Sequence, residues 1–228
     1  MKLSIIIPVY NEENNIEQVI SEVKKIPLRL EKEIIIVDDA SKDKTRQILK
    51  KYSKSAEIKI ILLKQNSGKG FAIREGLKTI TGEIVLIQDA DLEYSIADYP
   101  AILAPFFLKK AKVVYGSRFL GEITGMRLQN LLANKILTFT ANILYNIILT
   151  DEATAYKAFR SEVIKKLSLK CERFEFCPEV TAKLAKRGYK IYEVPIHYQA
   201  RDTKSGKKIK LRDAFEAIWT LIKYRFKD

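Results

Sequence analysis

Cysteine and histidine are scarce in this chain of 228 residues, which has two of the first and one of the second. Cys171 and Cys177 are too few for a disulfide framework and fit a reducing compartment. Their C-x5-C spacing, with His197 as the lone histidine, argues against a structural zinc site. Long apolar runs are missing as well. The longest uncharged stretch near the middle, Ile136 to Thr150, falls short of the roughly 20 residues that a membrane span needs. Met1 to Val9 runs directly into an apolar strand pattern, so no signal peptide is evident. Internal repeats and low-complexity segments are absent. So are two familiar glycine motifs: Ser67-Gly68-Lys69-Gly70 lacks the G-x-x-x-x-G-K-[ST] spacing of a phosphate loop, and no G-x-G-x-x-G follows the first strand.

Positive charge is abundant. With 41 basic and 28 acidic side chains the net charge is +13, which calls for an anionic partner: nucleic acid, a membrane surface or a phosphorylated substrate. The length suits one domain with a sizeable core.

Four apolar, β-branched runs alternate with helical patterns along the first part of the chain. Leu3 to Tyr10 reads as a buried strand closed by Pro8, Glu33 to Val37 as a second, Glu57 to Leu63 as a third and Ile84 to Gln88 as a fourth. Between them, Ile16, Val19, Ile20 and Val23 recur at helical spacing, a second helix opens at Ser41-Lys42-Asp43, and a third runs through Leu77. Strand and helix in this order predict a parallel sheet with right-handed crossovers. A polar cluster follows each strand: Tyr10-Asn11-Glu12, Asp38-Asp39, Asn66-Ser67-Gly68 and Asp89-Ala90-Asp91. Four such loops on one sheet edge form a binding crevice. The sharpest is Asp89-Ala90-Asp91-Leu92-Glu93, whose acids at alternate positions of an extended chain point the same way and can meet one hard cation. Lys69 stands at a helix start, where an anionic ligand is favoured. Asp39 or Ser41 also suits a helix cap.

These pieces together resemble the family 2 glycosyltransferases, in particular the dolichol-phosphate mannose synthase group. The matching segments are Ile5-Ile6-Ile7-Pro8-Val9-Tyr10-Asn11-Glu12, Ile36-Val37-Asp38-Asp39-Ala40-Ser41, Asn66-Ser67-Gly68-Lys69-Gly70 and Gln88-Asp89-Ala90-Asp91-Leu92-Glu93. Gly116-Ser117-Arg118, Ala155-Tyr156-Lys157-Ala158-Phe159-Arg160, and Arg201 followed by Gly206-Lys207-Lys208 continue the series in family order over nearly the whole chain. The resemblance implies a GT-A type α/β fold, Rossmann-like, with a mainly parallel sheet flanked by helices. It implies one domain over 1–228, with a donor half over 1–118 and an acceptor half over 119–228. It further implies a nucleotide-sugar donor on GDP or UDP, Mg²⁺ or Mn²⁺, and a polyprenyl or dolichyl phosphate acceptor. Pro8, Tyr10, Glu12, Val37 and Asp39 would hold base and ribose. Lys69, Asp89, Ala90, Asp91, Arg118 and Arg127 would line the diphosphate side, with Asp89, Asp91 and Glu93 as metal ligands. Glu93 departs from the Gln often found at that place in the mannose synthases, which leaves the donor sugar open. Asp151 matches a position considered as a base.

Transfer from a nucleotide diphosphate sugar builds negative charge on the departing diphosphate, which a carboxylate-held cation neutralises. A phosphate acceptor is already ionised near neutral pH, so the reaction needs cations to position two anions rather than a strong base. Arg118, Arg127, Arg201 and Lys207 are the expected cations, Asp91 is the catalytic carboxylate of the metal site, and His197, on an apparent strand, is expected to be structural. Leu128 to Leu149 reads as a helix with Leu132, Ile136, Phe139, Ile143 and Ile147 on one face and Asn134, Thr138, Asn142, Tyr145 and Asn146 on a narrower polar side. A second amphipathic helix over 210–226 places Leu211, Phe215, Ile218 and Ile222 on one face, with Trp219, Tyr224 and Phe226 nearby among Lys and Arg. Such helices suit a membrane surface, so the expected location is peripheral, at the cytoplasmic face, alone or with a membrane protein partner. A saccharide or diacylglycerol acceptor is an alternative. A basic nucleic-acid-binding module is an alternative of another class; the acids at Asp89 to Glu93 would repel its phosphate backbone, so no nucleic acid is expected.

Overall fold

A computed structural model describes residues 1–201 and 211–227, excepting the side chains of 211 and 212. Seven strands form one sheet in the order β3-β2-β1-β4-β6-β5-β7. The first four are β1 (Lys2–Val9), β2 (Glu31–Asp38), β3 (Ile58–Leu62) and β4 (Ile84–Ile87), all parallel. The connecting helices are α1 (Ile16–Lys25), α2 (Thr45–Lys50) and α3 (Lys69–Leu77). The mainly parallel α/β sheet expected from the sequence is therefore present. The helix expected from Ser41 begins instead at Thr45, because Asp43 first folds back to accept the Thr45 amide at 3.0 Å.

The continuous apolar runs reflect burial on both faces of the strands. Leu3, Ile5, Ile7 and Val9 pack with Val19, Ile20 and Val23 of α1 on one side, whereas Ile6, Ile35 and Val37 meet Ala72, Ile73 and Leu77 of α3 on the other. Each such Ile or Leu contributes about 1.5–3 kcal/mol on burial. Beyond β4 the chain continues through α4 (Tyr99–Leu108), β5 (Val113–Thr124), α5 (Leu128–Tyr145), β6 (Lys157–Arg160), α6 (Ser161–Lys166), α7 (Phe176–Lys186), β7 (Ile191–Gln199) and α8 (Leu211–Phe226). Only β6 runs against the rest, pairing antiparallel with both β4 and β5.

Strands β2 and β3 lie on one side of β1 and β4 on the other, so the chain reverses direction across β1. Ligands bind in α/β sheets at the carboxyl edge of such a switch point. Pro8 does not end β1, which continues to Val9. Its ring removes an N–H on the β4 side, where pairing has already stopped at Ile6 and Ile87. The two strands part there, and Tyr10 to Glu12 and Asp89 to Glu93 follow on the two sides of the gap.

The amphipathic segments form helices with different limits and faces from those expected. Helix α5 stops at Tyr145 and Asn146 turns left-handed at φ 51°, so Ile147, Ile148 and Leu149 lie beyond it in a loop. On α8, Ala217, Leu221 and Tyr224 are the buried apolar positions, packed with Leu137 and Ala141 of α5 and Ala182 of α7, and Ile218 packs against them. The outward positions are Phe215, Trp219 and Phe226. Tyr224 and Ile218 thus belong to the interior, because this helix docks on α5 and α7 rather than standing free. Among the described residues no helix is long and apolar enough to cross a membrane.

Candidate active site

The crevice is floored by an aromatic cluster beneath β4. Gln88 is fully buried and its Oε1 accepts the hydroxyls of Tyr99 at 2.9 Å and Tyr156 at 2.5 Å. With its acceptor oxygen so held, Gln88 turns its Nε2 to the carbonyl of Asp89 at 2.8 Å. The backbone that presents the two aspartates is fixed from below. Sequence reading assigned these tyrosines no role, since an aromatic near a strand end has the look of ordinary packing.

Each carboxylate of the cluster from Asp89 to Glu93 already faces a cation. Asp89 pairs with Lys69 at 2.5 Å, across from the start of α3. Burial works against the Lys69 charge, but Asp89, aided by Cys177 and Asp91, raises its pKa above the usual lysine value. Asp91 pairs with Arg201 at 3.0 Å. Burial raises the pKa of Asp91, and repulsion from Asp89 and Glu93 adds to that against the pull of Arg201 and Lys69. Arg201 also reaches Glu12 at 3.2 Å and Glu93 at 3.7 Å, so one guanidinium joins the loops after β1, β4 and β7. It is 189 residues from Glu12 in sequence.

Glu93 is committed elsewhere than expected of a metal ligand. Its carboxylate accepts the Tyr198 hydroxyl at 2.7 Å and the Arg201 backbone amide at 3.1 Å. Among the described residues no three His, Cys, Asp or Glu side chains are arranged to hold a metal by themselves. Asp89 and Asp91 remain as two hard oxygen donors in a cluster of three carboxylates whose mutual repulsion a cation would relieve. They suit Mg²⁺ or Mn²⁺ with the rest of the octahedron drawn from water and substrate oxygens.

Just after β2, Asp39 sets the shape of the loop after β3. Its two carboxylate oxygens accept the amides of Ser67 and Gly68, each at 2.7 Å. Only glycine fits at position 68, where φ is 94° and a Cβ would lie 2.4 Å from the carbonyl of Glu172. Asp39 therefore places Lys69 as well as facing the crevice. Glu12 is buried, while Pro8 and Tyr10 are part-exposed at the end of β1, beside Val37 of β2 in the core; Ala90, between the aspartates, is buried.

Arg118, at the turn of β5, is 5% exposed and held on every side. Its Nε and Nη2 each donate to Asp151 at 2.7 Å, and its backbone amide adds a third bond at 3.0 Å. The guanidinium lies 5.8 Å from the Phe119 ring and 5.2 Å from that of Tyr198. Burial opposes its charge, but Tyr94 and Asp151 push its pKa higher still, so it stays cationic at every working pH. Asp151 is fully buried with both oxygens engaged by Arg118, an arrangement that orients the guanidinium. Tyr198, unforeseen in the sequence, links the two arginines: its ring lies against Arg118, and its hydroxyl donates to Glu93, which also meets Arg201. Arg127 is the residue before α5, while Lys207 lies outside the described residues.

His197 is on β7 as expected, and its Nδ1 meets Asp98 at 2.7 Å while its backbone amide donates to the other Asp98 oxygen at 2.7 Å. That pins β7 to the turn before α4. Hydrogen bonding to Asp98 and its negative charge raise the imidazole pKa.

Known proteins resemble this chain along its whole length. A dolichol-phosphate mannosyltransferase of Pyrococcus furiosus is 28% identical over 223 residues, covering 96% of this chain, which spans only 62% of that protein. A dolichyl-phosphate beta-glucosyltransferase of Trichomonas vaginalis is 30% identical over 97% of this chain and 72% of its own length. Among solved structures, the glucosyl-3-phosphoglycerate synthase of Mycobacterium tuberculosis, determined with Mn²⁺, uridine diphosphate and phosphoglyceric acid, superposes with a TM-score of 0.75 over all of this chain and 79% of that one, at 20% identity. The fold is thus that of the GT-A glycosyltransferases. A model of the family described as glycosyl transferase family 2 matches residues 4–168, and the chain belongs to that family of glycosyltransferases.

Proposed function

We propose that this glycosyltransferase moves a hexose, with inversion, from a nucleoside diphosphate sugar to a polyprenyl or dolichyl phosphate at the cytoplasmic face of a membrane. The observation that carries the reading is a pair of held guanidiniums linked through Tyr198: Arg118 lies against its ring, and its hydroxyl donates to Glu93, which Arg201 reaches along with Asp91. Two anionic phosphates must meet there, and a phosphate acceptor needs no base. Its ionised oxygen forms a bond to the sugar C1 as the bond from C1 to the diphosphate oxygen breaks, and the electron pair leaves with the diphosphate. Lys69 and Arg201 offset that charge from the two ends of the acidic cluster. Asp89 and Asp91 would hold Mg²⁺ or Mn²⁺, which when bound supplies further neutralisation of the leaving diphosphate. Pro8, Tyr10, Glu12, Val37 and Asp39 would border the base and ribose. Residues 1–118 would serve the donor and 119–228 the acceptor.

The exposed apolar side chains of α5 and α8, with basic residues around them, support the membrane surface. The first donor to try is GDP-mannose, in line with the Pyrococcus relative's name. UDP-glucose is the second, in line with the Trichomonas relative's name. The test is incubation with radiolabelled nucleotide sugars, membranes and Mn²⁺. Label entering an organic-extractable, mild-acid-labile lipid supports the proposal; label staying in water with every donor defeats it.

A further inference from the structure

We infer that α5 couples contact with an anionic bilayer to the position of Arg118, through Asn142 and Thr138. The inference rests on the membrane reading above and adds to it a regulation of the same site. The outward face of α5 is apolar and exposed: Leu132 57%, Ile136 46%, Phe139 66% and Ile143 64%. Its inward face is unusual for a helix of this kind because it carries two polar side chains with specific work. Asn142 pairs with Leu149 in both directions, its Nδ2 donating to the carbonyl and its Oδ1 accepting the amide, each at 2.9 Å. Thr138, 4% exposed, accepts the amide of Glu152 through Oγ1 at 3.0 Å. Residues 149–152 thus hang from α5 at both ends, and between those ends lies Asp151, which grips Arg118.

The other side of the loop is tied to the sheet. Glu193 of β7 accepts the amides of Thr150 at 2.8 Å and Asp151 at 3.0 Å. One short loop therefore bridges a rigid strand pair and a peripheral helix. Few residues of α5 are buried, namely Leu137, Thr138 and Ala141, so its docking is weaker than that of the core elements. A partner that orders α5 orders the loop in the same step. An anionic bilayer fits better than a second copy. Arg127 just before α5, Lys135 on it, Lys223 and Arg225 on α8 and Lys227 just after it are exposed, and two chains each carrying +13 repel.

The test is amide hydrogen exchange of the full chain with and without vesicles of phosphatidylcholine containing phosphatidylglycerol, with pure phosphatidylcholine as the charge control. In the wild type, anionic vesicles should slow exchange in α5 and, by about tenfold, in residues 149–152. In Asn142→Leu and, separately, Thr138→Val, α5 should still be protected while the gain at 149–152 is lost. Protection of α5 without any change at 149–152 in the wild type, or an equal gain in both variants, overturns the coupling and leaves the membrane reading standing. No protection of α5 overturns both. The wild-type arm decides even where a variant fails to fold.

Discussion

Replacing Asp151 by Asn distinguishes a positioning carboxylate from a base. The substitution keeps shape and removes charge, leaving the guanidinium of Arg118 buried beside an amide that can accept only one of the two bonds now made at 2.7 Å. Breaking a buried ion pair by removing one partner costs about 3–5 kcal/mol, because the surviving charge has no compensation. Both side chains here are buried, at 6% and 0% exposure, so solvent screening offers little relief. For a domain of this size each kcal/mol lowers Tm by about 2–4 °C, which puts the expected loss at roughly 6–20 °C. Urea unfolding should show the same loss as a lower midpoint at unchanged m. The double variant Arg118→Met with Asp151→Leu should recover much of the stability, since an apolar pair of similar volume leaves no charge unpaired. A base acting on an acceptor hydroxyl would give the opposite pattern: turnover lost and stability intact. A loss below about 1 kcal/mol in Asp151→Asn would refute the positioning argument.

Gly68→Ala should cost more than about 1 kcal/mol in urea unfolding, given φ 94° and the Glu172 carbonyl 2.4 Å from the added carbon; a neutral result would mean that the loop relaxes freely. Electron paramagnetic resonance should find Mn²⁺ binding in the presence of a nucleoside diphosphate abolished by Asp91→Asn. The same binding should weaken by about 10-fold or less in Glu93→Gln, because Glu93 serves Tyr198 and Arg201 rather than the cation; equal losses in the two variants would restore Glu93 as a ligand. The contact of His197 with Asp98 should stabilise the protein most at acid pH. A raised folded pKa means that the native state holds the proton more tightly, so the contribution is full below the unfolded value of about 6.5 and is lost as pH rises through the folded value. The difference in Tm between wild type and His197→Gln should shrink from pH 5.5 to pH 9; a constant difference would sink the assignment.

The first four strands were legible because burial on both faces writes uninterrupted β-branched runs, and the helices between them because Ile16, Val19, Ile20 and Val23 keep helical spacing. What the sequence hid was long-range pairing. Nothing local in Tyr198 says that its hydroxyl will meet Glu93, 105 residues earlier. Strand β6, four residues long, is too short to show a period and gives no sign of its reversed direction. The face of α8 was misread for a related reason. Apolar residues surround that helix, and only its neighbours α5 and α7 decide that Tyr224 goes inward and Trp219 outward.

Backbone conformation carries a further signal that residue types conceal. Asn11 at φ 53°, Ala40 at φ 60° and Leu92 at φ 60° are left-handed, and they follow β1, β2 and β4 at the crevice. Asparagine tolerates that region, but alanine and leucine do not adopt it without a cost of about 1 kcal/mol or more each. Such strain persists only where surroundings over-determine it. Those surroundings are visible here: the Asp39 amide is held by the Val9 carbonyl at 2.8 Å, and the Glu93 amide returns to Asp91 at 3.2 Å. The strain therefore falls on the residue after Asp39 and the residue after Asp91, the two carboxylates that the crevice needs to aim. A chain selected only for stability would place glycine at both positions. Alanine and leucine there restrict the loops to fewer conformations, so each aspartate is aimed before a ligand arrives, as a preorganised binding crevice requires.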